Sequence, residues 1–211
     1  MTLLILCDHD RGTLAEASLE ALTFGRDLAQ RAGLSCEAVL IGEDAESAAG
    51  PLAAHGAVQV HLASHVLLTD YGPEAWGETL TQLTRSTGAT AVMACGTDRG
   101  NEVIAHVAAR LDEPFVANCT NITPGDTWTM TRVQWGGSLL EDATLDAGHR
   151  LVTVAHHAVE ATPTETPADG ALVQFTPDLV AEAARTVVKD RVVLTQGITL
   201  ATSPVVVGGG R

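Results

Sequence analysis

The sequence predicts an α/β fold: a doubly wound, mostly parallel sheet with an antiparallel β extension. Three observations predict it. Short, wholly apolar runs alternate with amphipathic helical segments through residue 111. Each run is followed by a short polar or glycine-bearing loop, as where a buried parallel strand leaves the C-terminal edge of its sheet. After Pro114 the rhythm changes, and strand-like runs follow one another with no helix between them.

The elements follow in order. Residues 3–7 (Leu-Leu-Ile-Leu-Cys) form an apolar run for a strand buried on both faces, and Asp8 to Gly12 form a polar loop. Thr13 and Glu16 have capping-box spacing before a helix that carries Leu14, Ala17, Ala21, Phe24 and Leu28 and stops at Gly33. Residues 37–41 are a second strand. Residues 45–55 are a short helix that Gly50-Pro51 interrupts. Residues 58–62 are a third strand, 73–87 a helix starting on Pro73, and 90–95 a fourth strand. Residues 96–100 are a loop before a helix over 101–111. Strands over 115–122, 127–133 and 151–154 then form the antiparallel extension, with a turn at Pro124-Gly125-Asp126. The Pro- and Thr-rich residues 161–170 read as a linker, followed by a helix over 178–188 and a strand over 204–207. The boundaries are 1–160 for the α/β domain with its extension and 161–211 for linker, helix and strand. The sheet is Rossmann-like, of the adenine nucleotide hydrolase-like kind, and such sheets take ligands at their strands' C-terminal ends.

Composition narrows the function classes. The 211 residues carry a formal net charge of −14, Lys189 is the only lysine, and no basic patch is evident, which argues against nucleic acid. No apolar run reaches the length of a bilayer span and no basic segment precedes the first strand, so neither membrane insertion nor a signal peptide is expected. Cys7, Cys36, Cys95 and Cys119 are scattered, without the close pairs of a zinc site, and read as buried small hydrophobes of a reducing, cytoplasmic compartment.

The chemistry-bearing residues are few. Gly96 to Asn101 join a strand to a helix whose amides suit an anion, but the spacing matches neither a dinucleotide fingerprint nor a P-loop. A tight turn is the expectation. Asp8, His9 and Asp10 offer carboxylates and an imidazole, yet neighbours on an extended chain point apart, so a solvated loop is expected. The same reasoning sends His156 and His157 to opposite faces of a strand. Neither catalytic residues nor a metal site are therefore expected. Trp135-Gly136-Gly137 places two glycines in a β region, suggesting a bulge or a close backbone approach by a neighbouring domain or subunit. Val205-Val206-Val207 with Gly208-Gly209-Gly210-Arg211 has the form of a strand leading into a glycine loop that approaches a pyrophosphate.

Taken in order, these segments resemble the N-terminal part of electron transfer flavoprotein alpha subunits. The resemblance rests on the opening strand with Asp8-His9 and Gly12, on His55-Gly56-Ala57 with Val60, and on Gly96-Thr97-Asp98-Arg99-Gly100 continuing through Ala108-Ala109-Arg110-Leu111. Arg132 with Trp135-Gly136-Gly137 and the run from Val205 to Arg211 complete it. Departures fall at Ala105-His106 and Ala155-His156-His157, where the family tends to carry Pro and Arg. The resemblance implies a non-catalytic electron-carrier subunit that pairs with an electron transfer flavoprotein beta subunit. It passes electrons from flavin dehydrogenases to an acceptor through the complex. FAD sits mainly in a C-terminal domain missing from this chain, with Gly209, Gly210 and Arg211 at most at its edge. AMP belongs to the beta subunit. The N-terminal part is then a sheet shelf for that partner. A second reading is a stand-alone adenine-nucleotide-binding or sensing domain using the loop at Gly96 to Gly100. A third is a hydrolase using Asp8 or Asp10.

Overall fold

A computed structural model describes residues 1–190, 200 and 203–209. Its centre is β1 (Thr2–Leu6), whose side chains alternate across the sheet. Leu3, Ile5 and Cys7 enter one apolar cluster, and Leu4 and Leu6 enter the other. The sheet also contains β4 (Ser35–Ile41), β5 (Gln59–Ala63), β6 (Ala91–Cys95), β7 (Phe115–Thr123), β8 (Trp128–Gln134), β9 (Leu139–Leu145), β10 (Arg150–Val154) and β11 (Ala171–Phe175). Its nine strands run in the order β11-β5-β4-β1-β6-β10-β7-β8-β9. Helix α1 (Glu16–Ala32) supplies Ala21, Leu22 and Leu28 to the first cluster. Helices α3 (Pro73–Thr87) and α4 (Asp98–Leu111) supply Leu80, Leu83, Val103 and Val107 to the second. Between β4 and β5 lie a 3-10 turn at Ala45–Ala48 and the short α2 (Gly50–Ala54), with Pro51 opening the latter as the sequence suggests.

Several expectations are corrected. Thr13 does not cap α1. It pairs in a small hairpin of β2 (His9–Asp10) and β3 (Thr13–Leu14), and Ala15 starts the helix without a side-chain cap. The hairpin turns through Arg11 and Gly12, both at positive φ, and holds Thr13 in a strand pair rather than at a cap. Helix α4 begins at Asp98, three residues ahead of expectation, because Thr97 accepts the Gly100 amide at 3.1 Å. β10 is no part of the antiparallel extension. It lies parallel between β6 and β7, with both of its faces buried, and β9 takes the outer place beside β8.

Residues 161–170 carry no regular structure, but they are tied down. Arg26 Nη1 donates to the Thr162 carbonyl at 2.6 Å, and the Thr164 and Ala168 amides donate to Ala54 and Ala53. This path delivers β11 to the open edge of β5, in parallel. The helix expected over 178–188 is replaced by one 3-10 turn at Ala181–Ala183. Its alanines bury too little for so short a helix to hold, and only Leu179 with a half-buried Ala183 reaches the second cluster. Residues 204–207 form no strand. Val205 to Val207 stay exposed and have no sheet neighbour among the described residues.

Gly25 packs α1 onto the sheet, and a Cβ there would collide with Ile5 and Met93. Gly25→Ala should gain about 1 kcal/mol of helix propensity and lose about 1–3 kcal/mol to overpacking. A net loss of stability is expected in urea unfolding, and a raised midpoint would refute this packing.

Candidate functional site

Strand order reverses between β1 and β6, so the crevice at their C-terminal ends is where a doubly wound sheet takes a ligand. Two small hollows meet there, each with room for only about 20 Å³ of water-sized volume, and both are lined by Trp76 and Arg99. The chain's own side chains fill much of the space. Arg99 on α4 donates to Asp8 at 3.2 Å and stacks its guanidinium 4.7 Å from the centre of the Tyr71 ring. The Tyr71 hydroxyl donates to Glu102 at 2.7 Å, and its ring meets Trp76 edge-on at 5.1 Å. Burial pushes the Asp8 carboxyl up and Arg99 pulls it back, leaving it above its ordinary value. The buried Trp76 indole N–H finds no acceptor among the described residues.

Each sequence-level candidate can now be placed. Asp8, His9 and Asp10 diverge as expected, but His9 is buried rather than solvated. Its Nδ1 accepts the Gly12 amide at 3.2 Å, so Nε2 carries the proton and donates to the Ile41 carbonyl at 3.0 Å. Only Gly96 and Thr97 form the turn expected over Gly96 to Gly100, and Asp98 to Gly100 already belong to α4. A Cβ on Gly100 would strike the Cys95 carbonyl, which accounts for the glycine. The helix start that would bind an anion already spends one amide on Thr97, and the nearest cation spends itself on Asp8. This occupancy works against the adenine-nucleotide reading, and the Arg99 pairing works against Asp8 as a hydrolytic group.

The four cysteines are buried and free. Burial pushes the Cys95 thiol up to about 11 and the Cys119 thiol up to about 12, so both stay protonated at neutral pH.

The β8–β9 hairpin is the feature that sequence reasoning misread. Trp135, Gly136 and Gly137 all adopt positive φ, so within this chain the glycines serve a turn. The turn thrusts Trp135 out at 81% exposure, beside the exposed Leu139 and Leu140. Arg132 pairs with Glu141 at 2.9 Å across the hairpin stem. Among the terminal candidates, Gly209 is exposed, and a Cβ on it would meet no atom within 4 Å. Gly210 and Arg211 lie outside the described residues.

The electron transfer flavoprotein domain model matches residues 3–191. The chain belongs to the electron transfer flavoprotein family. Within it, the chain is an alpha-subunit N-terminal domain. It is 25% identical to the electron transfer flavoprotein subunit alpha of Thermoanaerobacterium thermosaccharolyticum and 26% identical to that of Clostridium acetobutylicum. Each alignment covers 98% of this chain and 64% of the relative. Protein FixB of Bradyrhizobium diazoefficiens is 28% identical over 98% of this chain and 58% of its own length. The chain thus spans under two thirds of the length of these relatives. Among the described residues, no helix of this electron transfer flavoprotein domain is long and apolar enough to cross a membrane.

Removing Arg99 leaves Asp8 facing the crevice without its cation. The folded Asp8 carboxyl is already raised, so ionising it costs stability above the ordinary carboxylate range, and the cost vanishes once it is protonated in both states. Arg99→Ala should therefore lower stability by about 1–2 kcal/mol at pH 7, with Arg99's partial exposure keeping the figure small. The loss should shrink toward pH ~4, and Asp8→Asn should restore part of it. Thermal melts at both pH values check this, and an equal loss at each would contradict it.

Proposed function

We propose that this chain is the non-catalytic scaffold of an electron transfer flavoprotein alpha subunit, and that it docks a beta subunit through its antiparallel extension. The family match over residues 3–191 carries the reading. It is supported by a switch-point crevice filled by Arg99, Asp8 and Tyr71, and by the apolar tip of the β8–β9 hairpin. A rigid stem with a projecting Trp and two leucines is the kind of anchor that dominates interface energetics.

In this reading residues 1–160 together with β11 are the shelf, and the residues beyond β11 lead toward the part of the alpha subunit that holds FAD. Gly209, Gly210 and Arg211 stand at the edge of that flavin site. AMP belongs to the beta subunit, and electrons pass from flavin dehydrogenases to an acceptor through the assembled cytoplasmic complex.

Co-expression of the chain with a beta subunit from the same genome tests the proposal. A 1:1 complex is expected in size-exclusion chromatography with light scattering. Trp135→Ser combined with Leu140→Ser should weaken it at least about tenfold, as loss of a central anchor does. Failure to form any complex removes the scaffold reading, and an unaltered affinity in the variant moves the docking face elsewhere.

A further inference from the structure

His156 and His157 do not point to opposite faces of a strand. β10 ends at Val154, and the Ala158 amide donates to the Ala155 carbonyl at 3.0 Å, closing a turn over the two histidines. His157 sits at φ 64°, which swings its ring back onto that of His156. The two imidazoles stack with centroids 3.7 Å apart. Both face Glu20 on α1, a carboxylate only 6% exposed. His157 Nδ1 lies 3.0 Å and His156 Nε2 3.9 Å from Glu20 Oε1, and the three ligand atoms fall within 4.8 Å of one another. The His157 amide donates to Glu20 Oε2 at 2.8 Å, which fixes the carboxylate and leaves Oε1 aimed at the ring nitrogens.

We infer that Glu20, His156 and His157 form a binding site for a borderline divalent transition cation, with zinc the best match. The donor set is two neutral imidazoles and one carboxylate, the ligand types zinc takes. Tetrahedral zinc with bonds of about 2.0–2.1 Å sets its ligand atoms about 3.4 Å apart. The 3.0 and 3.9 Å separations bracket that spacing, and both rings are exposed enough to rotate onto it. A cation there takes the place of the hydrogen bond between His157 Nδ1 and Glu20 Oε1 that now serves the buried carboxylate. The backbone amide on Oε2 is the kind of outer contact that orients a metal ligand. Three protein ligands leave coordination positions for water, so the site is open and exchangeable rather than a closed structural one. It lies at the C-terminal end of β10, on the sheet edge that carries the crevice but separate from it. The Cys95 thiol, on the neighbouring β6, is not among the ligand atoms that converge here.

The test uses the untagged 211-residue chain, titrated with ZnCl₂ against a chromophoric chelator and with CoCl₂ by visible absorption. One zinc equivalent should bind with micromolar or tighter affinity, and cobalt should give ligand-field bands. The double variant His156→Ala/His157→Ala should weaken zinc at least about tenfold and abolish the bands. Glu20→Gln should do the same and keeps the test open if the double variant does not fold, which circular dichroism reports. Zinc binding weaker than about 100 μM, or binding unchanged in either folded variant, overturns the site.

Discussion

The two-sided burial of β1 is the constraint on which the rest depends. Its residues from Leu3 to Leu6 are at most 4% exposed, so each face of the strand requires its own helical cover. α1 answers one face, and α3 with α4 the other. Right-handed crossovers then fix the direction in which each half winds away from β1. The crevice between β1 and β6 is a by-product of that reversal, as are the loops that bring Asp8 and Arg99 together across 91 residues of sequence.

The chain uses this crevice as a joint. An unfilled switch point suits a nucleotide, because helix amides and a nearby cation converge on it. Here Thr97 takes an amide, Asp8 takes the cation and Tyr71 stacks over it. The interactions that would recognise phosphate instead tie α4 to β1. On the proposed scaffold reading, that rigidity holds the apolar hairpin tip at a fixed place for a partner.

How much of this could be read from the residues depended on what burial demands of them. β1, α1 and α3 are legible because an apolar run, a 3.6-residue period, Pro73 and Gly33 each leave one reading. β9 was not, since Leu139 and Leu140 face solvent beside acidic residues, only Leu145 is buried, and the run gives no alternation. β10 has the length and composition of any short strand, and only the sheet reveals that it slots between β6 and β7. β11 follows a Pro-rich stretch that reads as a linker until its hydrogen bonds to Ala53 and Ala54 are known. The histidine pair escaped because its convergence depends on the sign of one backbone angle, at His157, which residue type does not specify. The triple positive φ at Trp135, Gly136 and Gly137 hid the hairpin tip in the same way.

The position of β10 has a consequence for how the molecule assembles. β6 and β7 are neighbours in sequence, yet they flank a strand that is made after both of them and after the intervening hairpin. During synthesis the half-sheet around β1 can form early, but its continuation through β7 must wait for residues 150–154 to emerge and slot between two waiting edges. Closing that gap demands contacts distant in sequence, the feature that slows folding. Until it closes, the inner edges of β6 and β7 remain open to strands of other chains. The same insertion that joins the parallel core to its antiparallel extension is therefore the step at which a nascent chain is most exposed to mispairing.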